Sequence, residues 1–378
     1  MIPPAPQIMS PTKHNPWLCR FAGLTAFATF LLLGLGGLVT SHEAGMSVPD
    51  WPNTNGYNMF LFPMAQWVGG IFYEHSHRLL ASAVGLMTTV LAVWLWLKDA
   101  RPWMHWLGVA AFLGVVAQGV LGGLRVTLHM DSLGIYHGTI AQLFFILTCA
   151  LTMFTSRWWQ SLQTGGAGSP LPAAGAPRVT RPAVANLRTL VLATTILIFV
   201  QLILGATMRH QHAGLAISDF PLAYGRAWPD TGAAAVAHYN AQRTPVNGIN
   251  PITAFQIELQ MAHRLVALAI LILAALCAGQ AWRRFGGRDA LTKLAGFWLA
   301  LILSQVTLGA ATIWFNKAAD VATAHVLVGA MVLTIGALWC LVAFRPSVAA
   351  VRARRFEDGR SPEAAATIGA RTALAANE

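Results

Sequence analysis

The sequence predicts an all-α integral membrane protein whose eight transmembrane helices form two tandem, pseudo-symmetric four-helix bundles. Three observations lead there. Of its 378 residues 56% are hydrophobic and only 10% charged, with a mean hydropathy of +0.55, too little polar surface to cover a water-soluble body. Eight apolar runs are each long enough to cross about 30 Å of hydrocarbon as helix. The second half of the chain also repeats landmarks of the first, the mark of a duplicated unit.

In chain order, residues 1–17, with Pro3, Pro4, Pro6, Pro11 and Pro16, read as a flexible N-terminal lead. The first four spans fall at 18–40, 70–97, 104–126 and 133–155, so that 18–159 forms the N-terminal bundle. The first span is too long for a signal-peptide core and lacks a small-residue cleavage site. Residues 160–186, rich in Gly, Ala and Pro with basic residues interspersed, read as a linker. Spans at 187–208, 255–281, 291–314 and 321–344 make the C-terminal bundle, 187–345, and 346–378 is a polar, Ala-rich tail. Eighteen of the 25 Lys and Arg residues lie on the side of the N-terminus. The positive-inside rule therefore puts both termini, the linker and the tail in the cytoplasm and the long loops 41–69 and 209–254 outside. The net charge of +11 is largely this topology signal, and it gives no support to nucleic-acid binding. Cys19, Cys149, Cys277 and Cys340 all fall in helices, which excludes a disulfide in the outer loops and a Cys-x-x-Cys-His haem attachment.

The repeat carries the chemistry. Ala44 to Pro52 matches Ala213 to Pro221, His77-Arg78-Leu79 matches His263-Arg264-Leu265, and His137 matches His325. The four histidines sit toward the outer ends of the second, fourth, sixth and eighth spans. Facing helices of each bundle can thus present two imidazoles to one iron, the ligand set of a bis-histidine haem. Singly, each is an ordinary helix-end histidine; as a duplicated pair of pairs they favour ligation. Zinc or copper would need further ligands that the C-terminal copy lacks. Arg78 and Arg264 stand beside ligands and can pair with haem propionates, as can Arg125, Arg209 and Lys317, for which interfacial snorkelling is the alternative. Gly34, Gly36 and Gly37, Gly119, Gly122 and Gly123, and Gly205 and Gly309 suit close helix packing, and also leave room for a flat macrocycle. Asp50 and Asp219, each before an aromatic-Pro pair, are expected to fix a turn that folds the loop over the haem face.

One position breaks the symmetry. Three residues before His77 stands Glu74; three before His263 stands Gln260. A carboxylate on the ligand's helical face can accept a proton, orient water or stabilise developing positive charge; an amide does the first and last less well. Its alternative use is an i, i+4 ion pair with Arg78. His75, two residues from His77, is expected to face away from it.

These residues resemble the haem A synthase family (Cox15/CtaA) over about 18–345. The resemblance rests on Glu74-x-x-His77-Arg78, His137, His263-Arg264 and His325, with the repeated Ala-Gly loop segments. It implies oxidation of the C8 methyl group of haem O to a formyl group, giving haem A for terminal oxidases. By position, His77 and His137 match the substrate-haem ligands and Glu74 the catalytic carboxylate, while His263 and His325 match the ligands of haem b. Implied partners are a haem O synthase that supplies substrate, a terminal oxidase or its assembly factors, an unidentified electron-transfer partner and the lipid bilayer, with homo-oligomers left open. Oxygen insertion and electron abstraction followed by water attack both remain open. The chain departs from some members in having no cysteine pair between Ser41 and Gly69. A di-haem electron carrier of the cytochrome b type is the second reading. A duplicated transporter is disfavoured, because both copies share one orientation and no span is broken.

Overall fold

A computed structural model describes residues 14–164, 181–243 and 250–345. Ten α-helices occur among these residues: α1 (Pro16–Ser41), α2 (Gly69–Lys98), α3 (Pro102–Thr127), α4 (Ser132–Thr155), α5 (Arg157–Thr164), α6 (Arg181–His210), α7 (Ala233–Gln242), α8 (Ala254–Phe285), α9 (Ala290–Trp314) and α10 (Ala319–Ala343). Eight of them, all but α5 and α7, are long and apolar enough to cross a membrane, so the chain is a multi-pass membrane protein.

Local chemistry sets where the spans begin and stop. The Asn15 side chain accepts from the N–H groups of Trp17 and Leu18, and Pro16 starts α1 where a missing N–H costs nothing. Pro102 opens α3 in the same way. Thr253 and Gln256 form a reciprocal capping box at α8, and Asp289 caps α9. The observed ends lie close to the expected ones except at the start of α6, at Arg181, and at the end of α8, which continues to Phe285. There helix persists through Trp282, Arg283 and Arg284 and stops at Gly286, whose φ of 76° suits glycine.

The expected linker is partly helical. In α5, Trp159 and Leu162 are buried against the first bundle, and α6 already begins at Arg181. The middle of the linker, the first part of the N-terminal lead and the tail from 346 lie outside the described residues. Within the second long loop, α7 is a further helix that hydropathy did not mark.

Helices α1, α2, α3 and α4 pack as a closed ring in that order, and α6, α8, α9 and α10 repeat the ring. The rings meet through α1 on α10, α4 on α6 and α4 on α10. Consequently α4 and α10 sit centrally, whereas α2 and α8 pack mainly within their own rings. Each ring has its apolar core toward the face where the chain termini lie, around Leu91, Met104 and Leu151 in one and Cys277, Trp298 and Val332 in the other. The opposite half, toward the long loops, holds the histidines.

Both loops fold alike. Asp50 accepts from the N–H groups of Asn55 and Gly56, both at 2.7 Å, and Asp219 from Tyr224 (2.8 Å) and Gly225 (2.9 Å). Single β-bridges join Thr54 to Tyr57 and Ala223 to Arg226, so the two aspartates fix turns as expected.

Candidate functional site

The structure brings His77 on α2 and His137 on α4 together, ring centroids 6.4 Å apart and ring planes 73° apart. His263 on α8 and His325 on α10 are likewise within electrostatic range of one another. Each imidazole lies against a glycine of a third helix. A Cβ on Gly36 would stand 3.1 Å from Cε1 of His77, on Gly122 3.3 Å from that of His137, and on Gly205 and Gly309 3.2 Å from those of His263 and His325. Any larger residue would push the ring aside.

The donor set tests which group could sit here. Among the described residues no cluster of three or more His, Cys, Asp or Glu is placed to hold a metal ion, so the sets that zinc or copper require are not assembled. Haem asks instead for two axial donors and an apolar surround. The buried Nδ1 of His263 has no hydrogen-bond partner, the rings of His77 and His325 meet only the main chains of Leu32 and Gln305, and the glycines keep the ring faces clear. Both pairs therefore fit a bis-histidine haem.

Glu74 is buried, 4% exposed, and anchors the first loop. Its Oε2 accepts from Val48 N–H at 2.9 Å, and its Oε1 accepts from Arg78 Nη2 at 2.6 Å. The i, i+4 ion pair expected as the alternative is thus formed. In the second half Gln260 does the same work without charge. Its Oε1 accepts from Ile217 N–H at 2.7 Å, and its Nε2 donates to Ile217 O at 3.2 Å.

The arginines turn toward the loops. Arg78 donates to the carbonyls of Asp50 (2.7 Å), Asn53 (2.9 Å) and Val48 (2.9 Å) besides Glu74. Arg264 donates to Leu222 O (2.9 Å) and Asp219 O (2.7 Å) and lies over the Phe220 ring. Both guanidinium groups point into the loop lids, where Arg78 spends most of its donors on carbonyls and Glu74, while Arg264 uses two and keeps a buried Nε without a partner. Arg125 pairs with Asp131 at 2.9 Å. Burial opposes ionisation of Asp131, yet the Arg125 hydrogen bond and charge outweigh it and hold the carboxyl below its usual range. Arg209 crosses between the rings to Gly37 O (2.5 Å) and Ser41 Oγ (2.6 Å). Lys317 lies in the turn after α9, where its N–H reaches Thr312 O.

Two features escaped the sequence reading. His75 does face away from His77, but into a buried polar nook, with Nδ1 3.2 Å from Thr54 Oγ1 and the ring edge-on to Trp67. Second, glutamines one turn before three of the cradle glycines bond the histidine backbone: Gln201 Nε2 donates to His263 O at 2.9 Å, Gln305 Nε2 to His325 O at 2.8 Å, and Gln118, its amide nitrogen turned toward α4, to His137 O at 3.1 Å. The signal was a recurring Gln-x-x-Leu-Gly: Gln118 to Gly122, Gln201 to Gly205 and Gln305 to Gly309.

Against this geometry stand the comparisons with known proteins. Residues 19–336 match the family model COX15-CtaA, described as cytochrome oxidase assembly protein. The chain belongs to this family. Curated relatives include the heme A synthase of Geobacillus kaustophilus, 26% identical over 91% of this chain and 97% of the relative. Those of Rhizorhabdus wittichii (26%; 87% and 94%) and Methylobacterium radiotolerans (26%; 84% and 87%) are similar. The COX15-CtaA match spans both rings, so both histidine pairs and both loop lids lie inside it.

Proposed function

We propose that this chain is a haem A synthase, oxidising the C8 methyl group of haem O to a formyl group. The N-terminal bundle, 18–159, would carry the substrate site on His77 and His137; the C-terminal bundle, 187–345, would hold haem b on His263 and His325. Bound there, haem b supplies one-electron redox chemistry.

The observation that carries the reading is the unequal pair Glu74 and Gln260. Both anchor a loop through a backbone N–H, and the amide shows that anchoring needs no charge. Burying an ionised carboxylate is costly even when paired, so its presence in the first half alone points to a use beyond structure. One turn from His77, Glu74 is placed to take a proton released from the methyl carbon or to stabilise positive charge developing there. Arg78 holds that carboxylate and the loop above it, and Arg264 holds the second loop. Where water supplies the oxygen, methyl to formyl releases four electrons and four protons, which a partner must remove; where dioxygen is inserted, a partner must supply electrons.

The distribution of Lys and Arg supports both termini inside and both sites toward the outer side, and the bacterial relatives support a bacterial cytoplasmic membrane. A haem O synthase as supplier, a terminal oxidase or its assembly factors as recipient, and an electron-transfer protein follow from the reaction. The test is co-expression with a haem O source and analysis of extracted haems. Formyl haem from the parent, with haem O or its hydroxylated form accumulating in Glu74→Gln, supports the reading. Absence of formyl haem from the parent leaves the di-haem electron carrier, and normal yield in Glu74→Gln removes the catalytic role.

A further inference from the structure

Each histidine rests against a glycine, and the residue four positions before that glycine lies one helical turn away on the same face. At three sites this residue is glutamine, and its amide reaches the main-chain carbonyl of the histidine itself. At His137 the clasp is two-sided, since the Gln118 oxygen also accepts from Ala141 N–H at 3.2 Å. These histidines are therefore fixed twice, the ring by the glycine and the helix by the amide. The fourth site reads Leu32-Leu33-Gly34-Leu35-Gly36. Gly36 cradles the His77 ring as the others do, but Leu32 has no donor to offer.

Position in the fold sharpens this difference. His137 and His325 ride on α4 and α10, held by both rings. His77 and His263 ride on α2 and α8, which pack mainly within their own rings. Gln201 of α6 ties the α8 histidine down through its main-chain carbonyl; on α1 only the Leu32 main chain meets the His77 ring, and no side chain clasps the carbonyl of the α2 histidine. His77 is thus peripheral, and its helix lacks the side-chain amide clasp that the other three histidines have.

We propose that Gln118, Gln201 and Gln305 are positioning residues that lock three axial histidines, and that Leu32 leaves His77 as the releasable ligand through which haem enters and leaves the first half. This rests on the reading that the four histidines ligate haem and that the first pair holds substrate. A resident haem gains from two locked ligands; a substrate that must exchange needs one that swings away.

The test uses full-length protein in lipid nanodiscs, carrying its haems, mixed with excess apomyoglobin as haem acceptor. Loss is followed in the Soret region and the released haem identified. In the parent the first-half haem should leave faster. Leu32→Gln should slow that phase by roughly threefold to tenfold, the range interhelical hydrogen bonds carry in bilayers, with the low-spin spectrum unchanged. Leu32→Met, similar in size without a donor, should match the parent, and Gln201→Leu should speed loss of the second-half haem. Parent-like release from Leu32→Gln, or equal slowing by Leu32→Met, overturns the proposal. Should Leu32→Gln fail to fold, an unchanged second-half rate in Gln201→Leu overturns it alone. His77→Ala separates the two levels: if it keeps a low-spin first-half haem, the ligand reading itself fails.

Discussion

In the first half a carboxylate and in the second an amide occupy one place under a loop, and both capture the N–H of the equivalent residue, Val48 or Ile217. Around them the scaffold is the same: an aspartate-fixed turn, an arginine donating upward into loop carbonyls, two histidines and two cradle glycines. The difference lies in Glu74 for Gln260, His75 for Met261 and Leu32 for Gln201. The scaffold recurs in both copies, while a buried charge, a buried histidine and an apolar residue in place of an amide mark the first.

The comparison breaks most sharply at the ligands. His137→Ala should lose the first-half haem and keep the second, and His325→Ala the reverse, read as haem content and low-spin signal of purified protein. Loss of both haems in either variant would mean that the halves are not separate sites. Next is Glu74→Gln, which makes the first half resemble the second. Haem A yield should fall about a hundredfold or more, the scale of a lost acid–base group, whereas Gln260→Glu should leave it near that of the parent. A comparable loss from both exchanges would point to loop damage in place of chemistry.

Arg78→Ala should cost about 3–5 kcal/mol, because it strands the buried Glu74 charge. Arg264→Ala strands only neutral carbonyls and should cost about 1 kcal/mol. Thermal unfolding in detergent, with proteolysis of the loops, orders the two; equal losses would show that the ion pair adds nothing. Acid should act on the first loop in its own window. Burial opposes ionisation of Asp50, but the N–H groups of Gly56 and Asn55 and the Arg78 charge prevail and hold its carboxyl below the ordinary 3.8. A lowered folded-state value adds stability above 3.8 and loses it as pH falls through that lowered value. Protease nicking of 42–68 should therefore rise only below pH about 4, and Asp50→Asn should remove the dependence; nicking that instead follows pH near neutrality excludes Asp50 as its origin. The smallest effect separates the helix starts. Val68 offers α2 no side-chain cap, while Thr253 and Gln256 close α8. Thr253→Ala should cost about 1 kcal/mol, seen as faster amide exchange in the first turn of α8, and unchanged exchange would show the box to be redundant.

The eight spans were legible because crossing hydrocarbon demands about twenty apolar residues, a constraint written in composition. The histidine pairs were legible because duplication repeats them. Arg78 and Arg264 were legible as neighbours of His77 and His263, but spacing along a helix does not reveal a loop folding back overhead to accept from them. The short α5 and α7 carry too few residues for hydropathy to mark. Gln118, Gln201 and Gln305 were passed over because a lone glutamine in an apolar span has no visible partner until the neighbouring helix is in place.

His137 and His325 ride on α4 and α10, two helices that touch directly. On the proposed assignment the two haem sites would face each other across that one helix contact, whose axes lie typically about 8–10 Å apart, with no loop between those two helices. Movement of a loop lid would then leave the proposed electron route across the seam unchanged. A bulky substitution at that seam would act as a longer ruler, slowing tunnelling while leaving every ligand in place.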